Sequence, residues 1–266
     1  MTDMSDAGLS KRKASQYTGI GRQINDYERQ QPKRDAELSV KLAQGAMAVP
    51  EFGYRQMASW LGERQARVRR LWKHLKLAVK PAKKQPLGDS VMNEPDRHPT
   101  QAESLDHVWT YDMMHDRLSN GRSYRILNII DEYSRSCLAM HVAWAIKATD
   151  VAKVLLEVMK TTGRKPKYIR SDNGPEFAAS WVAEQLSLKG VQQLFIAPGS
   201  PWQNGFIESF NGKVRTELLN REWFYTIDEA AVVIELWRHW YNEQRPHSSL
   251  GGLPPAKFVV QSVAVA

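Results

Sequence analysis

The feature that most constrains the fold is a set of three short strand-like runs, followed by helices that alternate with two further strands. The first three runs are "DHVWTYDMM", "SYRILNIID" and "SCLAMHVAW", and the turn signal Asn120-Gly121 separates the first two. The runs "KYIRSD" and "VQQLFIA" follow, each after a segment with helical spacing. Short turns join antiparallel strands, whereas helical crossovers join parallel ones. The order β-β-β-α-β-α-β-α-α therefore predicts an α/β domain with a mixed sheet flanked by helices.

Helical spacing and capping residues locate the helices of this domain. Thr149 is predicted to cap "TDVAKVLLEVMKTTG", and Thr226 to cap "IDEAAVVIELWRHWYNEQR". Between them, "PWQNGFIESFNGKVRTELL" has an apolar stripe, although Gly205 and Gly212 each disfavour a helix interior by about 1 kcal/mol relative to alanine. A second stripe of the same segment is wholly polar: Asn204, Glu208, Asn211 and Arg215. By itself, such a stripe is typical of a solvated surface.

The net charge of +8 lies wholly in the first third of the chain. Residues 1–98 carry 19 Lys and Arg against 11 Asp and Glu, whereas residues 99–266 carry 18 of each. From Arg64 to Lys84 there are nine basic residues and no acidic one. On the second helix of a helix-turn-helix-like pair, this segment predicts contact with double-stranded DNA, with a solvated basic helix as the plainer alternative. The candidate contacts are Arg67, Arg69, Arg70 and Lys73.

Composition and spacing divide the chain into five expected segments. A run rich in proline and charge separates the helical part from the α/β part. We expect His247, in "YNEQRPHSSL", to belong to a tail that packs on the core. The segments are a mobile basic arm (1–34), a small all-helical helix-turn-helix-like domain (35–80), a linker (81–104), the α/β core (105–222) and a C-terminal helix and tail (223–266).

Composition also excludes several classes of protein. The single cysteine, Cys137, excludes an intrachain disulfide and a multi-cysteine zinc site. The N-terminus is polar and basic, and no apolar run approaches the ~18 residues that a membrane span needs. We therefore expect a protein of the reducing cytoplasm that has no membrane partner.

Three carboxylates lie where ligands gather in α/β proteins. They are Asp112 in the first strand, Asp172 at the end of the fourth strand, and Glu208 on the glycine-containing helix. Together they would suit hard cations, which take oxygen ligands and can assist phosphodiester displacement. Each also has an ordinary alternative, since Asp172 begins a turn and Glu208 could lie on the surface. Three further acids nearby in the sequence are alternative candidates for the role of Asp112: Asp116, Asp131 and Glu132.

The spacing of these acids and the motifs around them resemble a known catalytic core. The interval from Asp172 to Glu208 holds 35 residues, and the basic residue Arg215 follows seven positions after the glutamate. With "SDNGPEF", "SPWQNGFIESFNGKVRTEL", "VWTYDMMHDRLSNGRSYRILNIIDEYSR" and "WYNEQRPHSSLGGLPPAKF", the chain resembles the DDE core of retroviral integrases and bacterial insertion-sequence transposases. The closest resemblance, from about Asp35 onward, is to the second-reading-frame (OrfB) transposases of the insertion-sequence-three family.

This resemblance implies an RNase H-like fold in which Asp112, Asp172 and Glu208 are catalytic and bind Mg²⁺, for which Mn²⁺ can substitute. It implies DNA cleavage at transposon ends, followed by transfer of the freed 3′-hydroxyl to another phosphodiester. Arg215 would contact the transposon end, with three neighbours on the same DNA track: Asn204, Asn211 and Lys213. The implied partners are transposon-end and target DNA, other copies in an oligomer on DNA, and an upstream reading-frame product, because no heptad repeat is present here.

Two other functions stay open at this stage. One is a non-catalytic DNA-binding or regulatory protein, in which the acids are structural. The other is a metal-dependent nuclease that cleaves DNA without joining it. Retroviral integrases themselves are a poorer match, because one cysteine cannot supply their N-terminal His/Cys zinc domain.

Overall fold

The computed structural model describes residues 30–77, 101–171, 180–195 and 204–265, together with Gln16. Asp172 and most of the expected arm and linker lie outside the described residues. None of the helices in the described ranges is long and apolar enough to cross a membrane.

Three helices form the N-terminal part, and they share one buried core. α1 begins at Gln30, ahead of the predicted start at Asp35. α2 and α3 are separated near Gly62, as predicted, and its φ of +67° is a left-handed conformation that glycine adopts readily. The three helices are α1 (Gln30–Ala48), α2 (Tyr54–Leu61) and α3 (Gln65–His74). The buried residues between them include Leu38, Leu42, Phe52, Met57, Val68, Leu71 and Trp72.

The α/β part contains a five-stranded mixed sheet with the strand order β3-β2-β1-β4-β5. β1, β2 and β3 pair in antiparallel fashion, whereas β4 pairs in parallel with both β1 and β5. The predicted turn at Asn120-Gly121 joins β1 to β2, with Gly121 at φ +81°. The strands are β1 (Val108–Arg117), β2 (Ser123–Asp131), β3 (Cys137–Ala143), β4 (Tyr168–Ser171) and β5 (Gln192–Phe195). The predicted mixed sheet is confirmed.

Helices cover both faces of this sheet, which confirms the predicted layering. The covering helices are α4 (Ala148–Thr162), α5 (Ser180–Leu188), α6 (Gly205–Val214) and α7 (Ile227–Glu243), with a π-helical segment (Arg215–Leu219) directly after α6. α4 and α5 pack on the face that carries Trp109 and Tyr111. α6 and α7 pack on the opposite face, which carries Met114 and Ile130. Both helix layers thus bury apolar side chains against the same central strands.

One of the two predicted helix caps is present. The Thr226 hydroxyl accepts the backbone N–H of Glu229 at 3.1 Å and begins α7. The prediction for Thr149 is wrong, because α4 begins at Ala148 with Lys147 in the capping position. The Asp150 carboxylate accepts the backbone N–H of Lys147 at 3.0 Å, so the helix starts ahead of the threonine.

The chain beyond α7 returns to the N-terminal helices. It forms a 3-10 turn (Ser248–Leu250) and a final helix, α8 (Pro255–Val265), which the sequence pattern did not predict. Phe52 stacks on Trp240 of α7 with ring centroids 6.1 Å apart, and Arg221 donates to the carbonyl oxygen of Ala48 at 3.0 Å. The helical part and the α/β part therefore share an interface.

Candidate active site

The polar stripe of α6 lies against the central strand of the sheet. The Thr110 hydroxyl donates to the Asn204 side-chain oxygen at 2.6 Å, and the Asn211 amide donates to Asp112 Oδ2 at 2.8 Å. Glu208 lies between these two asparagines on the same side of the helix, and its side chain is exposed. We call Asn204, Glu208 and Asn211 the acidic face of α6. The contacts bring the strand of Asp112 and the helix of Glu208 together.

Strand alternation explains why Asp112 meets α6. Successive side chains of a strand point to opposite faces of the sheet. Trp109 and Tyr111 therefore enter the core beneath α4 and α5, while Thr110 and Asp112 point to the face that α6 covers. On α6, the apolar stripe packs on that same face and sets the orientation of the helix: Ile207, Phe210 and Val214.

Sequence reasoning missed one member of this network, Asn128. It is the cross-strand partner of Asp112 in the register of β1 and β2, and it is fully buried. Its amide donates to the Asn211 side-chain oxygen at 2.8 Å. A signal was present in the sequence, since an asparagine interrupts the apolar run "ILNII" and a buried amide needs a partner.

The three acids that compete with Asp112 have other partners. Asp116 pairs with Arg215 (3.2 Å), and Asp131 accepts the Ser134 hydroxyl at 2.5 Å. Glu132 receives two hydrogen bonds from Arg170, at 2.8 and 3.0 Å. Burial raises the pKa of Glu132 to about 7, against the opposing charge of Arg170. These contacts give each of the three acids a structural role. Asp112 alone among the four touches the acidic face of α6.

Comparison with known proteins identifies the family of this chain. Two models of the integrase core domain match the chain, over residues 102–201 and 189–255. The 31.7 kDa protein of insertion element IS407 from Burkholderia multivorans is 34% identical over 264 residues, which are 97% of this chain and 93% of that protein. This chain belongs to the integrase-core proteins of insertion elements. A 39.2 kDa protein of insertion element IS476 from Xanthomonas euvesicatoria is 33% identical, over 94% of this integrase-core chain and 72% of its own length.

Two further similar proteins are named as an integrase and a transposase. The HTLV-2 integrase catalytic core domain, solved in complex with magnesium, has a TM-score of 0.47 and 20% identity over 59% of this chain and 97% of that chain. The transposase of insertion sequence element IS904 from Lactococcus lactis is 27% identical over 59% of this chain and 63% of its own length. The sequence relatives make this integrase core transposase-like.

The metal-binding prediction rests on three carboxylates, and the structure describes two of them. Asp172 lies outside the described residues, and within those ranges no group of three or more His, Cys, Asp or Glu side chains is placed to hold a metal ion. Asp112 and Glu208 supply the hard oxygen donors that Mg²⁺ prefers. The Asn128 side-chain oxygen is buried close by and has no hydrogen-bond partner in the described part of the chain. The donors present in this integrase core therefore fit magnesium chemically.

Arg215 begins the π-helical segment and is held at the far end of β1. Its guanidinium donates to the carbonyl oxygen of His115 at 2.6 Å and pairs with Asp116. π-helical turns are uncommon and occur frequently at functional sites. Arg215 lies on the same face of the sheet as Asp112, whose strand it contacts. Its contact with DNA stays a prediction, as do those of Asn204 and Asn211, whose amides bind the sheet.

The four basic residues predicted to contact DNA on α3 are not equivalent. Arg67 is half-buried and pairs with Asp35 (3.1 Å) and Glu63 (3.0 Å). Arg70 also reaches Asp35, at 2.5 Å, but stays largely exposed. Arg69 and Lys73 are exposed on the same helix. Of the four side chains, Arg67 is the least exposed, and its ion pair with Asp35 joins α3 to α1. DNA contact remains a prediction for all four.

The structure does not group Lys213 with the acidic face. Its ammonium donates to the backbone carbonyl and the hydroxyl of Ser209, at 2.9 and 2.7 Å, one turn earlier in α6. Successive residues of a helix are rotated by about 100°, so Ser209 and Lys213 lie on the side away from Asn204 and Asn211. The predicted DNA track of four neighbours is thus divided between two sides of the helix.

Proposed function

We propose that this protein is a DDE transposase of the insertion-sequence-three family, which cleaves DNA at transposon ends and transfers the freed 3′-hydroxyl to another phosphodiester. The observation that supports this most is the pair of hydrogen bonds, 2.6 and 2.8 Å long, that joins the strand of Asp112 to the helix of Glu208. This contact occurs within an integrase core of the insertion-element family. The spacing from Asp172 to Glu208 supports the same activity.

In this proposal Asp112, Asp172 and Glu208 hold Mg²⁺, or Mn²⁺ in its place. When bound, such ions activate the attacking oxygen and stabilise the leaving oxygen of the phosphodiester. The contribution of the protein is to position the carboxylates in advance. Asn211 fixes one oxygen of Asp112, and Asn204 fixes the start of α6 on the sheet. Glu208 lies between these two anchors, so α6 cannot rotate about its axis without breaking one of them.

Double-stranded DNA is the substrate in this proposal. Exposed basic residues on α3, including Arg69 and Lys73, would contact phosphates, and Arg215 would contact the transposon end beside β1. Phosphate contacts of this kind make affinity fall steeply as salt rises. Joining two ends requires at least two active sites, so we propose an oligomer on DNA, in which an upstream reading-frame product takes part.

The test is a cleavage and joining assay with Glu208→Gln. The substrate is a labelled duplex from the terminus of the insertion element that encodes this chain, incubated with target DNA and Mg²⁺. Glu222→Gln is the matched control, because Glu222 is also an exposed glutamate but follows the π-helical segment. We expect Glu208→Gln to bind DNA and to lose both cleavage and joining, while Glu222→Gln keeps both.

Each remaining outcome assigns a different function. Cleavage by the wild-type protein without joined product would indicate a nuclease. Binding without cleavage at any Mg²⁺ or Mn²⁺ concentration would indicate a regulatory DNA-binding protein. Full activity of Glu208→Gln would show that the catalytic carboxylate lies elsewhere.

A further inference from the structure

A cavity of about 340 Å³ lies on the side of α6 that faces away from the acidic face. It is bounded by α6, the end of α7, the 3-10 turn after it, the turn between β2 and β3, and Gln56 of α2. Its polar lining includes three cations, two hydroxyls and an imidazole: Arg135, Lys213, Arg245, Ser209, Ser249 and His247. No acidic side chain of the described residues lines it.

Residues of α6 separate this cavity from the candidate active site. Phe206, Ser209 and Lys213 line it, and they share one side of the helix; we call them the basic face of α6. The acidic face lies on the opposite side, because residues three or four apart lie together and those two apart point away from each other. The cavity is therefore a second site, independent of the carboxylates of the proposed function.

The positive charges of the cavity are only partly neutralised. Arg245 forms a buried pair with Glu217, at 2.5 and 2.7 Å. Lys213, by contrast, has no carboxylate within salt-bridge distance in the described ranges, and it donates to neutral groups of Ser209. Burial, with Arg245 beside it, lowers the pKa of the Lys213 ammonium to about 8. Both desolvation and a neighbouring positive charge disfavour an ammonium group, and an anion would reverse the second effect.

Arg135 adds a second cation that lacks full compensation. Its guanidinium lies over the Phe206 ring, 3.7 Å from the centroid, and its Nη1 is buried without a hydrogen-bond partner among the described residues. Its backbone takes φ +60°, a left-handed conformation that is uncommon outside glycine. The nearby Glu132 is already bonded twice to Arg170. A buried guanidinium N–H with no acceptor is costly, and an anion in the cavity would relieve that cost.

His247 is a further lining residue with an unsatisfied polar atom. Its side chain is 5% exposed, and its Nε2 has no hydrogen-bond partner in the part of the chain that the structure describes. Burial, together with Arg245, Lys213 and Arg135, lowers its pKa to about 3, so the ring is neutral. The ring packs edge-on against Tyr241, with centroids 4.7 Å apart. The tail that contains His247 thus contacts α7 at Tyr241.

We propose that this cavity binds a phosphate group. The groups that line it come from five separate segments, and the lining offers more hydrogen-bond donors than the two oxygens of a carboxylate could accept. Arginine, lysine and hydroxyl donors converging on one space match the several acceptor oxygens of a phosphate. The volume exceeds that of a lone phosphate, so the phosphate of a DNA backbone or of a small phosphorylated molecule fits equally well.

Binding of inorganic phosphate tests the site directly, in the absence of Mg²⁺. We would titrate phosphate at constant ionic strength and follow the melting temperature and ³¹P line width of the wild-type protein. Phosphate should raise the melting temperature above that in matched chloride, since a ligand that binds only the native state stabilises it. Arg135→Gln and Lys213→Gln should each weaken binding about tenfold or more, as expected for loss of a charged hydrogen bond.

Lys153→Gln is the control, because Lys153 is an exposed lysine on α4, far from the cavity lining. It should bind phosphate as the wild-type protein does. If the Arg135 variant fails to fold, Lys213→Gln still decides the outcome. The proposal would be overturned if phosphate and chloride changed the melting temperature equally in the wild-type protein and in all three variants.

Adding duplex DNA then distinguishes the two sources of phosphate. If the cavity holds a backbone phosphate, saturating duplex should displace inorganic phosphate from the wild-type protein and abolish the broadening of its ³¹P signal. The duplex should also bind more weakly to the Lys213→Gln variant than to the wild-type protein. If the cavity holds a small phosphorylated molecule, the broadening should persist with DNA present. Neither result depends on catalysis by Glu208, so loss of the proposed function would leave this site intact.

Discussion

The acidic and basic faces of α6 are built on one ten-residue helix but have opposite environments. The acidic face is tied to the sheet by neutral amides that hydrogen-bond to Thr110, Asp112 and Asn128, and it leaves Glu208 exposed. The basic face lines a cavity whose cations outnumber their partners. The first face thus has its amides bonded to the sheet and presents a carboxylate, whereas the cavity beside the second face contains buried polar atoms of Arg135 and His247 that have no hydrogen-bond partner among the described residues. This difference corresponds to the two proposals, a metal site at the first face and a phosphate site beside the second.

The largest effect is expected at the ion pair of Arg245 and Glu217, which neutralises one of the cations that line the cavity. Both side chains are nearly buried, with 5% and 7% exposed. Arg245→Met should lower the free energy of unfolding by about 3–5 kcal/mol, because it leaves Glu217 as a buried and unpaired charge. Urea denaturation measures this loss, and the double variant with Glu217→Leu should recover most of it. A loss below about 1 kcal/mol for the single variant would contradict burial of the pair.

The next effect concerns the amide network of the acidic face. Asn211→Ala removes two hydrogen bonds and leaves the Asn128 amide buried without its acceptor. We expect a loss of about 1–3 kcal/mol in unfolding free energy, the usual cost of an unsatisfied buried group. Asn220→Ala, at an exposed asparagine after the π-helical segment, should have a much smaller effect. Equal losses in the two variants would show that the network does not hold α6.

Glycine-to-alanine substitutions at two positions test how much space surrounds the backbone there. A Cβ at Gly212 would meet nothing within 4 Å, so Gly212→Ala should stabilise the protein by about 1 kcal/mol through helix propensity. Gly252 is the contrasting position, with φ +87°, and a methyl carbon added there would lie only 2.6 Å from the Ser59 hydroxyl oxygen. Gly252→Ala should therefore lower the melting temperature, and Gly212→Ala should raise it. Changes of melting temperature in the same direction for both variants would contradict the geometry.

The smallest effect is expected on α3, where the question is DNA binding. Arg69→Gln should reduce the slope of log affinity against log salt by about 1, because it removes one phosphate contact. Arg67→Gln should change this slope less and instead loosen α3 from α1, since Arg67 is bound to Asp35 and Glu63. Fluorescence anisotropy at several salt concentrations separates the two variants. A larger change of slope for Arg67→Gln than for Arg69→Gln would show that Arg67, and not Arg69, contacts the phosphate.

Local patterns predicted much of the fold and of the acidic face. The strand runs and the turn at Gly121 were predictable because alternation and turn chemistry are encoded over a few residues. The sequence also grouped Asp112 with Glu208 as candidate ligands, but the hydrogen bond between Asp112 and Asn211 was not foreseen. Thr149 was misassigned because Asp150 also competes for the start of α4.

The basic face could not be predicted in the same way. Its cavity brings Arg135, Lys213 and His247 together from distant segments, and their sequence spacing carries no signal of that meeting. Lys213 was grouped with the acidic stripe, although its place in the helix puts it on the other side. The partner of Asn128 depended likewise on the pairing register of β1 with β2 and on the angle at which α6 crosses them.

The central claim is that the contact between Asp112 and the acidic face of α6 is part of a DNA-joining site. The most direct measurement is the yield of joined product from a labelled element end and target DNA with Mg²⁺, for wild type, Asp112→Asn and Asp228→Asn. Asp228 is an exposed aspartate in the first turn of α7 and serves as the control. We predict joined product with the wild type and Asp228→Asn and none with Asp112→Asn. Undiminished joining by folded Asp112→Asn would contradict the account.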